Sequence, residues 1–152
     1  MRRVFFLIIL LCAFSMMDTL PVWSETININ IGTIEVPNGF HHQRTGTKDS
    51  ERGVITSPQG LTLNYDIGRM AGTHMYSGLQ KDCLWYREQF INGRDVISGI
   101  INRDGKKQLI ITIREREQAK GVFQSPANFW ADTKRDEDIA EVILIALSYS
   151  PN

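Results

Sequence analysis

Two almost uncharged apolar runs constrain the fold of this chain more than any other feature. Residues 96–101 read Val-Ile-Ser-Gly-Ile-Ile, and residues 109–113 read Leu-Ile-Ile-Thr-Ile. Asp104-Gly105 lies between them and suits the positive φ angles of a type I′ turn, so the two runs predict a β-hairpin. Because neither run has a charged face to leave in water, we expect both strands to lie inside a sheet.

The C-terminal segment predicts one amphipathic helix over residues 136–148. Apolar side chains recur there at spacings of three and four, at Ile139, Val142, Ile143, Ala146 and Leu147. The acidic residues 136–138 favour the positive end of the helix dipole. One helix cannot bury such a stripe alone, so we expect it to pack on one face of an antiparallel sheet. The fold class is then α+β, in a single domain over residues 25–152.

Further strands are predicted at residues 26–36, 54–56, 61–66 and 128–132. Residues 40–52 and 68–78 lack periodicity or are rich in glycine, and we expect surface loops there. Residues 84–91 are ambiguous. The hairpin signal Asn92-Gly93 favours a strand, while Ser77-Gly78-Leu79-Gln80 suits a capping box that would open a helix.

The N-terminus has the layout of a secretory signal peptide. Arg2 and Arg3 precede an apolar run at residues 4–14, which is too short to span a membrane. Small side chains at Val22 and Ser24 predict cleavage after Ser24, with a retained anchor as the alternative. We therefore expect a secreted or periplasmic protein without an integral membrane span after cleavage of residues 1–24.

The charge balance argues against one class of partner and indicates another. The chain has 17 Lys and Arg against 17 Asp and Glu, so bulk charge does not favour binding to nucleic acid. Arg103, Lys106 and Lys107 cluster at the tip of the predicted 96–113 hairpin. Such charges ordinarily keep a turn soluble, but they would also form a basic patch for an acidic partner or a membrane surface.

Cys83 is left alone once Cys12 leaves with the signal peptide. No intramolecular disulfide is then available, and a buried thiol is the favoured interpretation. A dimer joined through Cys83 is the alternative.

No motif for catalysis, a metal or a cofactor stands out. His41 and His42 are adjacent and would point to opposite sides of an extended chain, and His74 lies in a separate segment, so no metal site is expected. A small hydrolase using Ser50 or Cys83 with a loop histidine is the alternative function, although no serine lies in a G-x-S-x-G elbow.

The order of the elements resembles small secreted α+β proteins of the Mog1/PsbP-like type. The resemblance covers residues 34–149 and includes the segment Asn128-Phe129-Trp130-Ala131 before an acidic-capped helix that ends Ala146-Leu147-Ser148-Tyr149. It implies a binding or accessory protein without catalytic residues. We accordingly expect a protein or cell-envelope component to bind through loops 40–52 and 68–80. The candidate binding residues are His41, His42, Arg69, His74, Arg103, Lys106 and Lys107.

Overall fold

The computed structural model describes residues 23–46, 48–115 and 126–152. Within these ranges the strands are β1 (Trp23–Ile29), β2 (Gly32–Pro37), β3 (His41–Gly46), β4 (Glu51–Thr56), β5 (Thr62–Ile67), β6 (Cys83–Ile91), β7 (Arg94–Arg103), β8 (Lys106–Glu115), β9 (Ala127–Thr133) and β10 (Ser150–Pro151). A short 3-10 helix, Ser77–Asp82, precedes β6, and one α-helix, α1 (Asp136–Ser148), follows β9.

The strands form two antiparallel sheets. The large sheet has the order β3-β4-β5-β9-β8-β7-β6, and the small sheet has the order β1-β2-β10. Strands β7 and β8 lie inside the large sheet, as their uncharged sequences predict. The α+β class is therefore confirmed, with β-structure dominant.

The predicted C-terminal helix is confirmed at the expected residues, and α1 contacts β2 in the small sheet and β8 and β9 in the large one. The buried carboxylate of Asp138 accepts the backbone N–H groups of Lys134 and Arg135, both at 3.1 Å. It also accepts the Arg135 guanidinium, which holds the pKa of this carboxyl below its usual range. A side-chain acceptor thus satisfies amides at the start of the helix, where none has an intrahelical partner.

The main core lies between α1, the small sheet and the inner face of the large sheet. Its largest fully buried side chains include Ile34, Ile55, Leu63, Tyr65, Leu109, Ile111, Phe129 and Ile145. These residues alternate along their strands with side chains on the other face, so the two faces of the large sheet have different chemistry.

The second face of the large sheet is covered in part by residues 68–82. Met75 is fully buried there against Ile97 and Ile110. Its backbone N–H donates to the Thr112 hydroxyl at 2.9 Å. The prediction of a surface loop over 68–78 is correct only in part: residues 68–76 form neither helix nor strand, but the segment packs onto the sheet and residues 77–78 begin the 3-10 helix.

The prediction of one strand over residues 26–36 is wrong. The chain turns at residues 30–31, and β1 pairs with β2 so that Ile27 lies opposite Ile34. This hairpin puts apolar residues of both strands on one buried face, which a single straight strand would not achieve. Residue 32, just after the turn, must be glycine because β10 passes so close that a Cβ atom there would lie 2.3 Å from the Ser150 carbonyl oxygen.

The prediction of a loop over residues 40–52 is also wrong, because β3 and the start of β4 occupy most of it. Strand β3 is an edge strand whose side chains at residues 41–45 are all exposed. It therefore lacks the apolar alternation by which a strand is recognised from sequence. His41 and His42 accordingly lie on a strand.

The ambiguous segment 84–91 is a strand, within β6. Asn92 and Gly93 form the turn to β7 with φ angles of 51° and 81°. The capping-box residues open only the 3-10 helix. None of the helices within the described ranges is long and apolar enough to cross a membrane.

Candidate functional site

A groove of about 630 Å³ opens on the second face of the large sheet, beside the β4–β5 and β7–β8 turns. Its floor comes from β5, β9 and β8, which are internal strands with a neighbour on each side. Polar side chains and one indole line it: Thr62, Asn64, Lys106, Gln108, Trp130 and Asp132. Internal strands have no unpaired edge, so a bound molecule must be recognised there through side chains.

The strand register brings these side chains together. Asn64 on β5 lies opposite Trp130 on β9, and Asp132 lies opposite Gln108 on β8. Residues two positions apart on a strand point to the same face, so Trp130 and Asp132 both face the groove. The sheet therefore fixes the spacing of an aromatic surface, two amides and a carboxylate.

Asp132 is held in place by two neighbours. The Gln108 side-chain amide donates to Asp132 Oδ1 at 3.1 Å, and Lys106 Nζ lies 3.6 Å from Oδ2. Lys107 and Lys134 also line the groove, and within the described ranges neither forms an ion pair. Because neighbouring residues on a strand point to opposite faces, the Lys107 side chain leaves β8 on the face opposite Gln108, away from the groove. Among the described residues, the charged side chains left to the groove are those of Lys106, Lys134 and Asp132, which makes the lining locally positive.

His74, a predicted site residue, packs against the groove tryptophan. Its ring centroid lies 4.8 Å from that of Trp130, with the rings tilted by 56°. Burial lowers the pKa of His74, and the Asp66 carboxylate, 4.0 Å from Nε2, acts in the opposite direction. Desolvation is the larger effect, so the surroundings of His74 favour its neutral form, and the ring packs against Trp130.

A buried asparagine ties the segment of His74 to the sheet. Asn128 Oδ1 accepts the His74 backbone N–H at 3.0 Å and the Thr112 hydroxyl at 2.7 Å. Its Nδ2 donates to the carbonyl oxygens of Asp66 at 3.2 Å and Gly72 at 3.1 Å. All the donor and acceptor positions of the amide are engaged, which fixes residues 72–74 beside the groove.

The hydrolase alternative gains no support from the surroundings of Ser50. The Ser50 hydroxyl accepts Arg52 Nε at 3.0 Å, and the same nitrogen lies 3.1 Å from Asp66 Oδ2. A guanidinium cannot accept a proton near neutral pH, so it cannot activate a serine. Asp66 Oδ1 is buried and has no hydrogen-bond partner among the described residues.

His42 belongs to a second polar cluster, on the inner face. Its Nε2 lies 2.9 Å from the Tyr65 hydroxyl, and Arg44 forms a two-point ion pair with the buried carboxylate of Glu51. Burial raises the pKa of Tyr65 to about 12 and lowers the pKa of His42. The cluster closes the end of the core near β3 and does not line the groove.

The predicted basic cluster is split by the structure. Lys106 and Lys107 line the groove, while Arg103 lies opposite Lys106 across the hairpin and is not part of the lining. Two other predicted residues are exposed and lie outside the lining: His41 on β3, and Arg69 in the same 68–82 segment as His74. The structure therefore joins only these two lysines to the lining, and of the two only Lys106 shares the groove face with Asp132.

Cys83 lies under the segment that covers the second face. Its Sγ donates to the Leu79 carbonyl at 3.3 Å, and a Cβ on Gly99 would come within 3.0 Å of the sulfur. Burial raises the pKa of this thiol. These contacts favour the packed thiol over the disulfide between chains, which stays a prediction.

Among residues 23–46, 48–115 and 126–152, no group of three or more histidine, cysteine or acidic side chains is placed to hold a metal ion. Four groove residues were not predicted from the sequence as site residues: Asn64, Gln108, Trp130 and Asp132. A usable signal was present at Trp130 and Asp132, which lie two apart in a predicted strand and so share a face.

No protein-family model matches the chain, and no curated protein or solved structure is significantly similar to it.

Proposed function

We propose that this chain is a non-enzymatic, extracytoplasmic binding protein that holds a cell-envelope component in the groove between the β4–β5 and β7–β8 turns. The observation that carries the proposal is the groove itself. Its volume of about 630 Å³ falls in the range of small-molecule sites. Its polar groups stand on internal strands, which position side chains more rigidly than loops do.

The chemistry of the lining favours binding over bond cleavage. Asp132 is the carboxylate among the lining residues, and it is paired with Lys106 and Gln108. Both of its oxygens therefore have a protein neighbour, and the described lining residues include neither a second carboxylate nor a histidine to complete an acid–base pair. The same pairing suits a binding site, because it fixes the orientation of acceptors and donors before the ligand arrives.

The extracytoplasmic location rests on residues 1–24. Strand β1 starts at Trp23, so cleavage after Ser24 would remove its first two residues. The pairing of Glu25 with Val36 and of Ile27 with Ile34 involves only residues after that cut. An accessory binding role also agrees with the Mog1/PsbP-like resemblance of the element order, which we retain as part of this proposal.

The experiment is co-sedimentation of purified residues 25–152 with insoluble envelope material from cells that express the chain. Thr62 is exposed and lines the groove, so Thr62→Trp would fill part of the groove without entering the core. Thr45→Trp, at an exposed position of edge strand β3, is the matched control. We expect the wild type and the control to sediment and the Thr62 variant to stay in solution. Sedimentation of all three to the same extent, or of none, would contradict the proposal.

A further inference from the structure

The side chains of the groove point to the class of molecule that fits it. Asn64, Gln108 and Asp132 present amide and carboxylate groups, and Thr62 adds a hydroxyl. Neighbouring hydroxyls on a sugar ring both donate and accept hydrogen bonds, which matches such groups. Trp130 adds an aromatic surface beside them, and an indole packs well against the C–H groups of a sugar ring. The combination suits a polar ring better than an apolar chain.

A peptide fits the groove less well. Extended peptides usually add to an exposed sheet edge, where backbone hydrogen bonds provide affinity. The floor strands β5, β9 and β8 are all internal, so this mode is not available in the groove. A molecule rich in its own hydroxyl groups does not need backbone partners.

The charge of the lining adds a second requirement. Lys106 is balanced by Asp132, whereas Lys134 forms no ion pair within the described part of the chain. An unpaired cation at the edge of a polar groove favours a ligand with anionic substituents. Single-stranded nucleic acid is a poorer match, because its binding sites use a continuous basic track and several stacking aromatics. Trp130 is the one aromatic residue among the described residues of the lining, and the chain has no net positive charge.

We propose that the groove binds an acidic glycan, a sugar chain whose rings carry carboxylate groups. The rings pack beside Trp130 and exchange hydrogen bonds with Asn64 and Gln108, while a carboxylate lies near Lys134. This inference rests on the proposed function and names the ligand class of the same groove.

The test is a calorimetric titration of residues 25–152 with trigalacturonate and with its fully methyl-esterified form. The ester has the same rings and hydroxyls but no charge, so the pair isolates the contribution of the carboxylates. A hyaluronan tetrasaccharide tests a second acidic sugar. We expect at least one of the two acidic probes to bind. If trigalacturonate binds, it should bind roughly tenfold more tightly than its methyl ester. Raising the salt from about 20 mM to about 500 mM should weaken acidic-probe binding severalfold.

Two variants localise the charge effect. Lys134→Gln should weaken binding of the acidic probe roughly three- to fivefold, as expected for one solvent-exposed charge pair, and leave ester binding unchanged. Lys81→Gln, on the exposed surface of the 3-10 helix, is the matched control and should bind like the wild type.

Three results would overturn the inference: no binding of either acidic probe, equal binding of acid and ester, or tighter binding of an oligothymidylate of similar length. Failure here is distinguishable from failure of the proposed function. If envelope material still sediments the wild type but not the Thr62→Trp variant, the groove binds an envelope component of another chemical class.

Discussion

Replacing Asn128 with alanine should loosen the segment that borders the groove. Asn128 is fully buried on β9 and links that strand to Thr112 on β8 and to residues 72–74. Alanine removes all four hydrogen bonds of the amide at once. It leaves the Thr112 hydroxyl, the His74 N–H and two carbonyl oxygens without their partner in a buried region.

The expected loss of stability follows from the number of hydrogen bonds that the substitution removes. A hydrogen bond contributes about 1 kcal/mol net, and a buried group left unpaired costs about 1–3 kcal/mol. Four bonds would give about 4 kcal/mol, and water entering the space left by the amide would restore part of that. We expect a loss of about 3 kcal/mol in the free energy of unfolding, which a domain with about 5–15 kcal/mol of stability survives.

The assay is urea unfolding followed by tryptophan fluorescence. With a denaturant dependence near 2 kcal/mol per molar urea, the midpoint should fall by about 1.5 M. Asn64→Ala is the control, because Asn64 makes one long hydrogen bond of 3.5 Å, to the Trp130 carbonyl, and is only partly buried. It should cost less than about 1 kcal/mol. An Asn128→Ala loss no larger than that of the control would refute the idea that the buried amide fixes this segment.

Three further predictions follow from single contacts. Gly53→Ala should destabilise the protein by about 1–3 kcal/mol in the same urea assay, because the added Cβ would lie 2.4 Å from the Tyr65 hydroxyl. The control is Gly46→Ala, whose Cβ would lie 3.6 Å from the nearest atom, in the Arg52 side chain, and which should leave stability nearly unchanged. Equal losses of stability in the two variants would contradict the steric argument. Asp138→Asn should cost about 1 kcal/mol near pH 7. Since the pKa of Asp138 is lowered by folding, this stabilisation is present above the ordinary carboxyl pKa and is lost as the pH falls below about 4. If the difference in free energy of unfolding between wild type and Asp138→Asn does not shrink in acid, the lowered pKa of Asp138 is contradicted. Cys83 should react with iodoacetamide at least about tenfold more slowly in the folded protein than in urea, because burial raises its pKa and covers the sulfur. Equal rates would show that the thiol is accessible.

Local sequence patterns were sufficient for much of the fold. The helix over 136–148 and the 96–113 hairpin depend on spacings within one segment, and both were recovered. Strand β3 was missed because an exposed edge strand needs no apolar alternation. The β1–β2 turn was missed because isoleucines on both sides of residue 30 continue the alternation through it.

The groove was only partly predictable for a different reason. Lys106 and Lys107 were found because they cluster in sequence at a recognisable turn. Asn64, Gln108 and Trp130 come together through the register of three strands far apart in the chain, and single-sequence periodicity contains no information about that register. A polar residue facing a groove and a polar residue facing solvent have the same pattern in the sequence.

The most direct test of the account is an NMR titration of the 15N-labelled protein, residues 25–152, with trigalacturonate and with the hyaluronan tetrasaccharide. With a probe that binds, we expect the largest shifts at the backbone amides of Asn64 and Gln108 and at the indole N–H of Trp130, with saturation at one equivalent. The amides around His42, on the inner face of the sheet, should not shift. Shifts centred on His42, or scattered over the surface without saturation, would contradict the assignment of the groove as the binding site.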